Sequence, residues 1–303
     1  PFLELLLPIS LQNMSATEEA IAKEDIWYDW VLYLMVPVQY ALLVLFFTTI
    51  TDPLLTTFEV VGRVLSMGIA CGAIGINMAH ELGHRKNKYE QLLSKLLLLT
   101  SMYLHFFIEH NQGHHKNVAT PEDPASSRYG ENIYAFWLRS VLMGYRSAWH
   151  IETARLARDK QAFWSVHNQM LVFQAIQGAF LVFIVLIWGV TTMLYFLVAA
   201  TIGFLLLETV NYIEHYGLQR DKNDKGVYER VLPMHSWNSN HILGRIMLFE
   251  LSRHSDHHFR ATRKYQILRN FEEAPQMPTG YPGMMLVALF PPLWFYIMHR
   301  HIE

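Results

Sequence analysis

A chain of 303 residues could hold two soluble domains, but 52% hydrophobic content, a mean hydropathy of +0.14 and only 17% charged residues point to one polytopic membrane fold. The net charge of -2 says little, because in a membrane protein the placement of Lys and Arg carries the information. The single cysteine, Cys71, excludes a disulfide framework, a Cys-based zinc site and an iron–sulfur cluster.

Residues 1–30 join a short apolar piece to an acidic, polar run too short to span a bilayer, which is expected at or outside the membrane surface. No signal peptide is visible, and the opening on Pro1 reads as a sequence missing its natural start. Residues 31–50 form an apolar stretch long enough to cross, with Pro37 as a possible kink. A second stretch runs from Phe58 to Met78 and leads directly into HELGH, His80–His84.

Residues 91–110 are also long and apolar. If they crossed, HELGH and the following HNQGHH (His110–His115) would end on opposite faces of the bilayer and could not share a site. An interfacial or re-entrant helix is therefore expected there. A polar region, 116–168, precedes two more spans at about 170–188 and 192–212. They return the chain to the same side, where His215 and then HSDHH (His254–His258) follow. The last apolar piece, 283–298, is interrupted by two prolines and reads as an interfacial helix.

The expected architecture is an all-α, polytopic membrane helix bundle: a single domain over 1–303 with about four spans, interfacial helices and a cytoplasmic, histidine-rich cap. The cytoplasmic side follows from charge. The loops at 51–57 and 189–192 carry no Lys or Arg, whereas the segments bearing the histidines hold nearly all of them.

HELGH matches the HExxH pattern of helix-borne zinc proteases, and taken alone it has about even odds of being accidental. The other clusters change that balance. His110 and His114 fall one turn apart, with His115 rotated toward a neighbouring position, and HSDHH repeats the idea with His254, His257 and His258. One doublet is a polar helix end; two, each preceded by a histidine three or four residues earlier, suggest two metal ions. Imidazole suits iron, copper, nickel and zinc, so ligand type does not name the metal. His215 is favoured as a ligand over a boundary histidine bonded to backbone. His105 reads as structural, His150, His167, His299 and His301 lack partners at ligand spacing, and His235 and His241 suit packing or supporting roles. Glu81, Glu109, Asp123, Glu214 and Asp256 are candidate carboxylates to orient the ligating rings, although any of them could be a solvated acid. Asp256 is preferred, inside HSDHH, with Glu81 and Asp123 next.

HELGHRKN, FFIEHNQGHHKNVATPEDPASSRYGE, NYIEHYGL, HSWNSNH and SRHSDHH together resemble the integral-membrane alkane 1-monooxygenases, non-haem diiron enzymes of the wider membrane fatty-acid desaturase/hydroxylase superfamily, over about Asp29 to Gly283. The resemblance implies that His80, His84, His110, His114, His115, His215, His254, His257 and His258 hold two irons without a bridging carboxylate. Related diiron enzymes imply four histidines on one iron and five on the other; the partition read here gives His80, His84, His115 and His258 to one ion. The family normally carries two further membrane helices ahead of the point where this sequence starts.

The implied reaction is terminal hydroxylation of n-alkanes with O2, in the bacterial inner membrane, with rubredoxin and its reductase supplying electrons. The implied partners are these and membrane lipid, with no nucleic acid. Ile74, Asn77 and Met78 are expected near the inner end of a substrate channel, with plain helix packing about as good an account. Arg139, Arg146, Arg155, Arg158 and Lys160 form a basic region that could steer rubredoxin or attract lipid headgroups. A fatty-acyl or sterol desaturase or hydroxylase is the closest rival, and an intramembrane zinc protease the rival from another class. Preferred chain length and oligomeric state are not legible.

Overall fold

The computed structural model describes residues 2–302, and among these the chain is helical with three isolated β-bridges and no strand. Three helices there are long and apolar enough to cross a membrane: Ile26–Thr49, Thr57–Gly83 and Gln169–His215. The last contains Gly189 at φ 86° and ψ 169°, a conformation that only glycine adopts readily. On either side of it the Phe180 and Phe196 rings stand 5.6 Å apart. In a straight helix, 16 residues would separate them by about 24 Å. The chain therefore doubles back at Gly189 and makes two spans, giving the four expected.

Two compact units form, one from residues 29–113 and 145–207, the other from 1–28, 114–144 and 208–303. In the first, Leu43, Phe46, Phe47, Val64, Met67, Ile184 and Phe196 close a core between the spans. The helices approach closely where side chains are smallest. A Cβ on Gly203 would lie 2.6 Å from the Cys71 Cβ, and one on Gly68 2.6 Å from the Ile202 Cβ. The second span is not uniform, because residues Cys71–Ile76 form a π-helical turn before the α-helix resumes over Asn77–Gly83.

The expected interfacial segment 91–110 is indeed broken. A helix over Lys88–Leu99, capped by the Asn87 side chain, is 12 residues long, about 18 Å, and too short to cross. Ser94 donates a 2.6 Å hydrogen bond to the Ala79 carbonyl, tying it to the HELGH helix. Turns through Thr100–His105 follow, with Met102 at φ 53°, and then a second π turn over Glu109–His114.

In the other unit, Phe136, Tyr212, Tyr216, Trp237, Tyr281 and Trp294 form an aromatic core beneath the end of the last span. Their polar tips are satisfied: the Trp237 indole donates to the Tyr216 carbonyl at 2.9 Å and the Tyr212 hydroxyl to the Glu131 carbonyl at 2.6 Å. Arg253 is buried and donates to the Leu268 and Gln12 carbonyls, both at 2.8 Å, so it clamps the polypeptide around HSDHH. The carboxy-terminal apolar piece is two helices, Tyr281–Ala288 and Pro291–Ile302, broken ahead of the paired prolines. The region read only as polar contains a 26-residue helix, Ile133–Arg158.

Candidate metal centre

His80 and His84 are four residues apart across the end of the second span, so their rings lie on one face. Within the same unit, the Nε2 atom of His84 is 3.4 Å from that of His80 and 3.0 Å from that of His110. In the other unit, His215 ends the last span and His254 and His258 share a face of the short helix His254–Phe259. His114 Nε2 stands 3.2 Å from His258 Nε2, and His254 Nε2 3.3 Å from His215 Nε2. One ligand atom from each of these four lies within 4.8 Å of the others, and all four side chains are buried. His115 and His257 approach each other through Nε2 atoms 3.1 Å apart.

These spacings fit metal ligation. Two nitrogens about 2.0–2.1 Å from a common ion stand roughly 3.0–3.4 Å apart at octahedral to tetrahedral angles. Burial, with the neighbouring histidines adding to it, pushes the His258 imidazole well below its ordinary range, which keeps its lone pair available.

The opposite nitrogen of His114 shows what holds a ring in place. Nδ1 is 2.8 Å from the Asp123 Oδ2, and both groups are buried. Ser126 donates to the same oxygen at 2.6 Å, and its own hydroxyl accepts the Ala119 N–H at 2.8 Å. Burial alone would raise the Asp123 carboxyl. The charge and hydrogen bond of His114, the Ser126 hydroxyl and the charge of His215 together hold it below the usual carboxylate range. Ser126 was not among the expected residues, and a lone serine in a loop carries no spacing signal. Glu214, one residue before His215, is buried with Oε2 3.1 Å from His254 Nε2.

The structure corrects several expectations. His110 and His114 do not act as one helix face: the first joins His80 and His84, the second joins His215, His254 and His258, because the residues between them form a π turn. For the same reason the expected partition is overturned, since His258 lies with His114, His215 and His254. Asp256 turns its Oδ2 to the Arg269 backbone N–H at 2.8 Å and the Arg263 guanidinium at 3.3 Å instead of to a histidine. Two residues after His254, it is rotated about 200° around the helix, away from the face shared by His254 and His258. Glu81 accepts from Arg85 at 2.7 Å.

Of the expected channel residues, Met78 is fully buried, Asn77 is buried with no hydrogen-bond partner for its Nδ2, and Ile74 is half-buried within the π turn. Arg139 and Arg155 of the expected basic region are engaged inward, Arg139 with Glu131 at 2.7 Å and Arg155 with Glu152 at 2.7 Å. His105 is buried against Tyr103 and Tyr145, and His235 meets Glu229 at 3.1 Å.

The family model for fatty acid desaturases matches residues 56–288. Alkane 1-monooxygenase 1 of Alcanivorax borkumensis is 41% identical over 295 residues, 97% of this chain and 72% of that protein. Alkane 1-monooxygenase of Acinetobacter baylyi is 41% identical over 302 residues, 100% of this chain and 74% of that protein. The hydroxylase component of a xylene/toluene monooxygenase from Pseudomonas putida is 29% identical over 275 residues, 90% and 73% of the two chains. With HELGH, HNQGHH and HSDHH all inside the matched region, the chain belongs to the alkane 1-monooxygenases, enzymes of the wider fatty acid desaturase family.

Proposed function

We propose that this chain hydroxylates the terminal carbon of n-alkanes to primary alcohols, using O2 and electrons delivered by rubredoxin and its reductase. The nine histidines serve two irons, with His114, His215, His254 and His258 as the set for one. The observation that carries this reading is that buried set, whose facing nitrogens stand at ligand spacing while the far nitrogen of His114 is held by Asp123. When bound, iron supplies the oxygen-activating redox chemistry that side chains lack.

The chain's own residues supply position and exclusion. Asp123 accepts from Nδ1–H of His114, so Nε2 carries the lone pair toward the metal side; Ser126 fixes the carboxylate in turn. Burial of Met78 and Asn77 one turn before His80 keeps the approach from the second span largely dry. An alkane offers no polar handle, so an apolar passage past Ile74, Asn77 and Met78 selects the chain end by shape. The histidine face is on the cytoplasmic side of the inner membrane, where rubredoxin is found; this rests on the absence of Lys and Arg from the short loops at 51–57 and 189–192.

Fatty-acyl desaturation or hydroxylation is the alternative, favoured by the description of the matching family model. The test is to quantify iron in the purified chain and analyse products after incubation with octane, rubredoxin and its reductase, with a fatty-acyl substrate in parallel. Two irons and 1-octanol are expected. One zinc, or oxidation of the acyl substrate alone, would overturn the assignment.

A further inference from the structure

A second polar cavity lies away from the histidines' metal-facing side. It has a volume of about 500 Å³ and is lined by Glu19 and Lys23 of the helix Ala16–Glu24 and by Arg260, Thr262, Arg263 and Arg269 of the segment after HSDHH. All belong to one unit. Four cationic side chains thus face a single lining carboxylate. Glu19 bonds both Arg263 and Arg269, and Asp256, set behind the wall, bonds Arg263 and the Arg269 backbone. Even with both acids counted, the cavity keeps an excess of positive charge. Arginine forks and a threonine hydroxyl are donors suited to phosphate oxygens.

Its place along the chain says where that phosphate comes from. Lys23 stands three residues before Ile26, the first residue of a 24-residue membrane span. Around that junction Ile21, Ile26, Trp27 and Trp30 are all exposed, and exposed tryptophans at the end of a span mark the headgroup layer. A lysine there extends its ammonium group toward headgroups while its stem covers apolar surface. We propose that this cavity binds the headgroup phosphate of one anionic phospholipid. The lipid would bridge the amino-terminal helix to the segment behind HSDHH, since both line the cavity. Neither the metal nor the alkane enters the argument.

The experiment counts lipids by native mass spectrometry on the full chain released from nanodiscs, one set of neutral phosphatidylcholine and one containing phosphatidylglycerol. The wild type is expected to retain one phosphatidylglycerol. Lys23→Gln with Arg260→Gln, chosen because Arg263 and Arg269 carry internal bonds, is expected to lower that retention about tenfold. Lys23→Arg with Arg260→Lys, which keeps the charge, is expected to restore it and so separates lost binding from lost folding. Retention equal in all three proteins would overturn the proposal. Displacement of the lipid by excess inorganic phosphate would overturn it in favour of a free anion. Unchanged lipid retention with selective loss of rubredoxin-driven turnover would overturn it in favour of an acidic protein partner.

Discussion

Asp123 Oδ2 lies 2.8 Å from His114 Nδ1, and neither group is reached by solvent. A buried carboxylate on the far nitrogen of a ligating imidazole fixes its tautomer and raises its basicity, and losing such a partner typically weakens metal binding about 10–100-fold. Asp123→Asn is expected to reduce iron affinity by that range in equilibrium dialysis, with the helical content unchanged in circular dichroism. Ser126→Ala, which removes the second bond to the same oxygen, is expected to act in the same direction with smaller size.

Replacing Gly203 by alanine is expected to destabilise the protein. The added carbon would sit 2.6 Å from the Cys71 Cβ and 3.2 Å from the Gly72 nitrogen, which are backbone-fixed atoms that cannot swing aside. Overpacking of this kind costs about 1–3 kcal/mol. Thermal unfolding in detergent should show a lowered midpoint, whereas Gly178→Ala, with open space around it, should leave the midpoint unchanged.

His105 gives a pH dependence whose sign follows from its burial. Desolvation lowers its pKa from 6.5 to about 4, so protons bind preferentially to the unfolded chain. The stability it contributes is fully present above pH 6.5 and is lost as pH falls toward 4, at roughly 1.4 kcal/mol per pH unit and about 3 kcal/mol at most. Unfolding midpoints measured from pH 7.5 to 4.5 should fall, and His105→Gln should flatten part of that fall. An equal slope in the variant would assign the acid sensitivity elsewhere.

Ile74 is half-buried on the π turn ahead of His80, and an indole there would fill space beside the helix face that leads to the histidines. Ile74→Trp is expected to shift the accepted alkanes to shorter chains with iron content unchanged. Competition between octane and hexadecane, read by gas chromatography, measures this directly. An unchanged chain-length profile would remove Ile74 from the channel.

Much of the fold was legible because membrane spans obey a length rule that composition reports directly. The reversal at Gly189 was visible as a break between two apolar runs, and the shortness of the helix Lys88–Leu99 followed from requiring the histidines to share a side. The histidine clusters were legible because ligand pairs repeat at helical spacing. Sequence reading failed where it assumed 3.6 residues per turn throughout. Neither π turn has a composition signature, and the sorting of His110 from His114 depends on one of them. Asp256 was misassigned because proximity in sequence hid its rotation around the helix. Glu19 with Arg263 and Arg269 could not be foreseen, since about 250 residues separate the partners.

The two π turns have a further consequence. Each closes its backbone rings one residue wider than an α-helix does, so each amounts to a single extra residue accommodated without leaving the helix. Removing one residue from 109–114 would let the segment relax to ordinary α-helix and swing everything after it by about 100°. His110 would keep its heading while His114 and His115 lost theirs. Gene-level drift at this point is therefore phase-locked: substitutions can be absorbed, but a one-codon deletion would uncouple the histidines of one unit from those of the other while leaving hydropathy, span count and histidine number untouched.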